Sequence, residues 1–234
     1  MKNKKNITEI CSSDPIRDAW ESLGIAFVFN KSQVRHADPE FTLLQTLGEL
    51  YEDRKMLKLI LAWLREYREL IHVERVKALS VNLSPINLAW LGCIALHQAN
   101  EGDLRCHVII RLVEKKLGKY APYFKMTHFD ALQGKRLGVD PFFAQFGLPI
   151  PCLQAADERK IRPRKHVIAS HLWLRMRLLF GTNWRADIAV VMIRGLAQTP
   201  YQTAKILGCN YETAYRNWKS LKETEVETLG FVVK

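Results

Sequence analysis

Apolar residues recur through most of this 234-residue chain at three- and four-residue steps. That spacing fits one face of an α-helix and not the two-residue alternation of a strand. Between Asp53 and Tyr67, the residues Met56, Leu57, Ile60, Leu61 and Leu64 form such a stripe, with Arg54, Lys58, Arg65 and Glu66 facing outward. Phe41, Leu44, Leu47 and Leu50 repeat the step along one face after Asp38-Pro39. There Asp suits the N-cap and Pro the first helical position, and Ser84-Pro85 opens an apolar helix to about Ala99 in the same way. A shorter helix is expected over His72–Leu79, and Asp103 is expected to cap another that Gly118 stops. Strand-like alternation is scarce, so the fold class is mainly α. Ile25–Phe29 reads equally as a strand or an apolar plug.

Punctuation divides the chain. Residues 1–37 form an N-terminal segment, and 38–146 a helical domain suited to dimerisation, sensing or partner binding. The Pro- and Gly-rich stretch 147–163 is expected to be a linker. Residues 164–234 then comprise a basic helix, His166 to Phe180, and a three-helix domain. The paired aromatics Phe142-Phe143 are read as core or as a partner surface. The longest apolar run, Ile86 to Leu96, is too short to span a bilayer, and no signal-peptide h-region follows the basic N-terminus. Five scattered cysteines without a CxxC pair fit a reducing, cytoplasmic setting.

Charge gives the first functional direction. The formal net charge is +11, and it is unevenly placed. From Glu158 to Lys222 there are 13 Lys/Arg against 3 Asp/Glu, whereas residues 1–157 carry a net charge of only +3. A basic segment of that kind is a candidate surface for a polyanion.

The same segment carries the one constellation with a structural logic. A helix over Trp184–Leu196 is followed by Gln198-Thr199-Pro200, a short helix Tyr201–Leu207, the turn Gly208-Cys209-Asn210 and a third helix Tyr211–Glu223. Two helices meeting steeply across a short turn need a small residue at their closest approach, here Ala204, and a left-handed residue in the turn, here Gly208. Ile206 or Leu207, with Cys209 and Ala214, is then expected to fill the wedge, with Trp218 and Leu221 packing back on the first helix. The stretch YQTAKILGCNYETAYRNWKSL resembles the helix-turn-helix DNA-binding superfamily through Ala204, Leu207, Gly208, Thr213, Ala214 and Arg216. Asn217 departs from that pattern, because its slot is usually apolar. The following TEVETLGFVVK is similar to a short winged-helix wing, with a turn at Gly230.

The resemblance implies a prokaryotic-type transcriptional regulator that binds double-stranded DNA, normally as a homodimer, with the third helix in the major groove. Base contacts would come from Asn210, Tyr211, Glu212, Tyr215, Arg216 and Lys219, with Arg216 suited to guanine and Asn210 to adenine. Phosphate contacts would come from Thr199, Tyr201, Gln202 and Lys205. The basic tract Lys160, Arg162, Arg164 and Lys165, with Arg175 and Arg177 of the basic helix, would add sequence-independent phosphate contacts. Two other readings stay open. One is a protein-interaction module, such as an autoregulating antitoxin or mobile-element accessory protein, with a partner on the N-terminal domain. The other is a protein for RNA or single strands, using Trp173, Trp184 and Tyr211 for stacking.

No enzyme activity, metal or cofactor is expected. His166 and His171 are five apart and miss the four-residue spacing of two ligands on one helix face. Pro163 separates Arg159 from His166, which precludes an Arg/His pair on one continuous helix. No phosphate-cradling glycine loop or nucleophile elbow is present.

Overall fold

The computed structural model of the protein describes residues 15–27, 36–118, 127–155 and 158–226. Among these residues there are thirteen α-helices, and β structure is limited to two isolated bridges, Ile25 with Ile161 and Val139 with Pro151. Six helices open the chain: α1 (Pro15–Ser22), α2 (Pro39–Thr46), α3 (Arg54–Tyr67), α4 (Val73–Leu79), α5 (Pro85–Asn100) and α6 (His107–Leu117). Then come α7 (His128–Leu137), α8 (Pro141–Gln145), α9 (Arg164–Ser170) and α10 (Leu172–Phe180). The described residues end with α11 (Trp184–Ile193), α12 (Pro200–Leu207) and α13 (Tyr211–Glu223).

The helix starts follow the capping chemistry. Asp38 accepts from the Phe41 amide at 3.1 Å, Asp53 from Met56 at 2.9 Å and Ser84 from Asn87 at 3.3 Å. Gly118 and Gly181 close α6 and α10 with positive φ. The apolar stripe of α3 is buried as expected, but Phe41 of α2 is 51% exposed, and Leu43 takes the inward place beside Leu44. A strict three-residue step drifts off a helical face because the helix turns every 3.6 residues. Leu47 and Leu50 are still buried, from the turns that follow α2.

A first core gathers α1 to α6 with α8, around Trp20, Trp63, Tyr67, Trp90 and Phe143. Trp20 meets Trp63 edge-on at 5.3 Å, and Tyr67 stacks on Trp63 at 4.8 Å. The Trp20 and Trp63 indoles are satisfied: Trp20 Nε1 donates to Thr46 Oγ1 and Trp63 Nε1 to the Leu23 carbonyl. Phe143 is fully buried against Trp90, which settles the Phe142-Phe143 alternatives for Phe143 in favour of core. Ile25 is buried too, as a plug fixed by its single bridge, while Phe29 lies outside the described residues.

The stretch expected to be a linker is instead packed on this first core. Leu148 and Ile150 have no exposed surface, and the Tyr67 hydroxyl donates to the Arg162 carbonyl at 3.0 Å. The Arg162 amide bonds the Gly24 carbonyl at 2.8 Å. Gly24 has φ +102, and a Cβ there would come within 2.6 Å of Val167, so α9 also lies against the first core. The proline-rich punctuation marks a chain with few regular hydrogen bonds, but its apolar residues are still buried by the surface beside them.

A second core gathers α10 to α13, with Trp173, Met176, Ile188, Val190, Val191, Leu207, Trp218 and Leu221. The single basic helix expected from His166 to Phe180 is broken at His171, whose extended backbone (φ −110, ψ 111) separates α9 from α10. The break lets α10 serve both cores: Leu174 joins the first, whereas Leu172, Trp173 and Met176 join the second.

Between the cores lies a buried charged cluster. Arg177 is fully buried on α10, with Nη1 and Nη2 each 2.6 Å from a Glu40 carboxylate oxygen and Nε 2.9 Å from Asp187 Oδ1. Arg75 bridges Asp38 and Glu40 from α4, and the two guanidiniums lie 4.7 and 5.5 Å from the Trp173 ring centroid. Burial opposes ionisation of Asp187, but Arg177 and a hydrogen bond from His72 outweigh it and hold its carboxyl below the usual range. Ionised, that carboxylate can only accept, so His72 Nδ1, 2.6 Å away, carries the proton. The cluster thus fastens α10 and α11 to α2 and α4.

Candidate nucleic-acid interface

The helices α11, α12 and α13 fall where the sequence places them, with α11 ending at Ile193 instead of Leu196. Thr199 caps α12 by accepting from the Gln202 amide at 3.2 Å, and Gln202 Oε1 returns to the Gln198 amide at 2.8 Å. Gly208 ends the helix in the left-handed conformation, φ 76 and ψ 20, and its amide and that of Cys209 both bond the Ala204 carbonyl. Ala204 is buried at the crossing. The turn rests on the end of α4: a Cβ on Gly208 would lie 3.4 Å from Leu79 and 3.6 Å from Ala78.

Helix α13 divides cleanly. Ala214, Trp218 and Leu221, at four- and three-residue steps, are buried against α11 and α12. Asn217 does not reach the core; its amide donates to the Thr213 carbonyl one turn back, and Trp218 fills the apolar place instead. Tyr211, Glu212, Tyr215, Arg216 and Lys219 are all exposed on the other side. Tyr211 and Tyr215 lie 5.9 Å apart, and Arg216, 72% exposed at its side chain, is 3.8 Å from Glu212 one turn back. Such an open pair holds Arg216 only weakly, leaving it able to exchange partners. Glu212 in the first turn also complements the positive end of the helix dipole.

Asn210 is exposed but already occupied. Its Oδ1 caps α13 by accepting from the Thr213 amide at 2.7 Å. A bidentate adenine contact needs both the oxygen and the nitrogen of the amide, so the role expected for Asn210 competes with the cap.

The expected phosphate contacts separate into two groups. Thr199, Tyr201, Gln202 and Lys205 stand together on the exposed side of α12, with the Lys205 ammonium 4.7 Å above the Tyr201 ring. The 160–177 group is not brought to this face as a whole. Arg177 is withdrawn altogether: it is sealed between Glu40 and Asp187, where a phosphate cannot reach it. Arg162 pairs with Glu21 of α1 at 3.0 Å and Arg164 with Glu69 just after α3, open ion pairs that draw these cations toward the first core without sealing them off. Arg175 is half-buried, while Lys165 is exposed and Lys160 partly so. The expected wing around Gly230 and Phe231–Val233 lies outside the described residues; Val226, just before it, is buried in the second core.

The charged cluster is not foreseen by local sequence pattern. Its one local signal is a charge inside an apolar run: Asp187 in WRADIAVVMI and Arg177 in LWLRMRLLF. Such residues are buried only when paired, and neither run contains its partner from the first domain. Among the described residues no helix is long and apolar enough to cross a membrane, and no group of three His, Cys, Asp or Glu is placed to hold a metal ion. Comparison with protein families, with curated proteins and with solved structures gives no match to this chain.

Proposed function

We propose that this protein is a sequence-specific regulator that binds double-stranded DNA, with α13 entering the major groove. The observation that carries the reading is the two-sidedness of α13 behind a left-handed glycine turn. One side is anchored by Ala214, Trp218 and Leu221, while Tyr211, Tyr215, Arg216 and Lys219 project away from every packed element. The exposed start of α12 with Thr199, Gln202 and Lys205 supplies amide, hydroxyl and ammonium donors of the kind that hold a phosphate backbone beside such a helix. In this reading two copies bind related half-sites, and the first domain carries the pairing surface.

A mobility-shift measurement with the region upstream of its own gene tests the reading. A specific shift over unrelated duplex is expected at low salt, and Arg216→Ala with Lys219→Ala is expected to abolish it. Two lost contacts correspond to at least ~2 kcal/mol, or about 30-fold in affinity. A shift that the double variant leaves intact, or none with the wild type, refutes the proposal. Preference for single strands over duplex in the same assay would favour the RNA or single-strand reading.

A further inference from the structure

A second basic feature lies in the first domain, away from the helix-turn-helix. Helix α3 presents Arg54 and, one turn later, Lys58 to a cleft whose other walls are α7 and the 151–154 strip. The cleft has a cavity volume of about 230 Å³, below the ~300–1,000 Å³ of typical ligand sites, which limits it to a small ligand. Its charges are unbalanced. Asp130 is the one carboxylate among the described lining residues, and Arg54 holds it at 2.9 Å, with the two side chains only 15% and 3% exposed. Arg54 is itself fixed 5.1 Å from the Trp90 ring and by its bond to the Leu50 carbonyl. That pair makes a rigid, neutral wall. Lys58 and Arg136 remain, two cations for which the described lining of this cleft holds no further carboxylate, although Lys58 also borders a neighbouring hollow lined by Glu158.

We infer that this cleft binds a small organic dianion, a dicarboxylate or a phosphate ester. Two cations on one hollow, Lys58 half-buried and Arg136 exposed, favour two negative charges more strongly than scattered surface charges do. The side-chain amides of Gln133 and Gln154 supply neutral donors for orientation. Leu137 and Leu153 supply an apolar wall for a short carbon skeleton, so an inorganic ion alone would leave part of the site unused. The inference does not rest on the DNA reading.

Isothermal titration of the full chain at low salt tests it, with succinate and citrate as carboxylate probes and glycerol 3-phosphate as the phosphate-ester probe. Saturable binding of at least one probe is expected with Kd below roughly 1 mM, and the probe that binds identifies the anion class. Lys58→Gln with Arg136→Gln is expected to weaken that binding about tenfold or more. Lys55→Gln with Lys135→Gln removes the same charge from exposed positions on the same two helices and is expected to leave it unchanged. If the cleft pair lowers the melting temperature, the exposed single change Arg136→Gln carries the comparison. Absence of saturable binding by all three probes overturns the inference. So does equal weakening by the cleft and control variants, which would mean diffuse charge and no site.

Discussion

Replacing Arg177 by methionine keeps much of the side-chain volume but removes the cation between Glu40 and Asp187. In the native protein this guanidinium makes three hydrogen bonds to the two carboxylates and another, at 2.8 Å, to the Leu70 carbonyl. Both carboxylates have no exposed surface, so water cannot replace it. Removing one partner of a buried pair costs about 3–5 kcal/mol, because the remaining charge stays desolvated. Glu40 would keep Arg75 at 3.0 Å and the His72 amide at 2.9 Å, and Asp187 would keep His72. These surviving bonds put the expected loss near the lower end, about 3 kcal/mol, against a total stability of ~5–15 kcal/mol. Urea denaturation followed by tryptophan fluorescence measures it, and Trp173 beside Arg177 reports on the site itself. Adding Glu40→Gln and Asp187→Asn to Arg177→Met removes the stranded charges while leaving Arg75 paired with Asp38. That triple variant is expected to be more stable than Arg177→Met alone. A loss below ~1 kcal/mol for the single change, or a triple variant less stable than the single, would refute the charge-based account.

Acid should weaken the fold through His171, which is fully buried; burial, with His36 and Arg177 nearby, lowers its pKa from 6.5 to about 3. The unfolded chain therefore binds a proton in this range that the native protein excludes. Stability is full above pH 6.5 and falls as pH drops toward 3, by ~1.4 kcal/mol per pH unit from this group. Denaturation curves at pH 7 and 5 should differ by about 2 kcal/mol more in the wild type than in His171→Phe; identical pH slopes would count against the assignment. Asn210→Asp retains a good cap and should keep the melting temperature; under the proposed DNA-binding function it should weaken the binding by placing a negative charge beside the duplex. Asn210→Ala should lose ~1 kcal/mol of stability. If Asn210→Asp binds DNA as well as the wild type, the N-terminus of α13 does not approach the phosphates or bases.

Much of the helical framework was legible in the sequence because its causes are local. Asp38-Pro39, Asp53, Ser84-Pro85 and Thr199-Pro200 each satisfy amides within three residues, and the stripes of α3 and α13 repeat within one or two turns. The Gly208 turn was readable for the same reason, since a left-handed residue between two short helices is a backbone requirement. The exposed face of α13 followed once its apolar face was known. Phe41 escaped this reasoning because a three-residue repeat does not keep to one helical face. The break at His171 escaped it too, because α9 and α10 bend there to reach two different cores.

Charge shows the division most clearly. The chain by itself determined that 13 of its 35 Lys/Arg lie between Glu158 and Lys222, and that α12 and α13 carry exposed cations. Only the tertiary structure decided which of those cations remain available to a polyanion. Arg162, Arg164 and Arg177 meet Glu21, Glu69 and Glu40, acids 141, 95 and 137 residues away along the chain. Hydrophobic periodicity and capping act over a few residues and are therefore written locally. An ion pair depends on distance through space and on the water around it, and folding alone sets both.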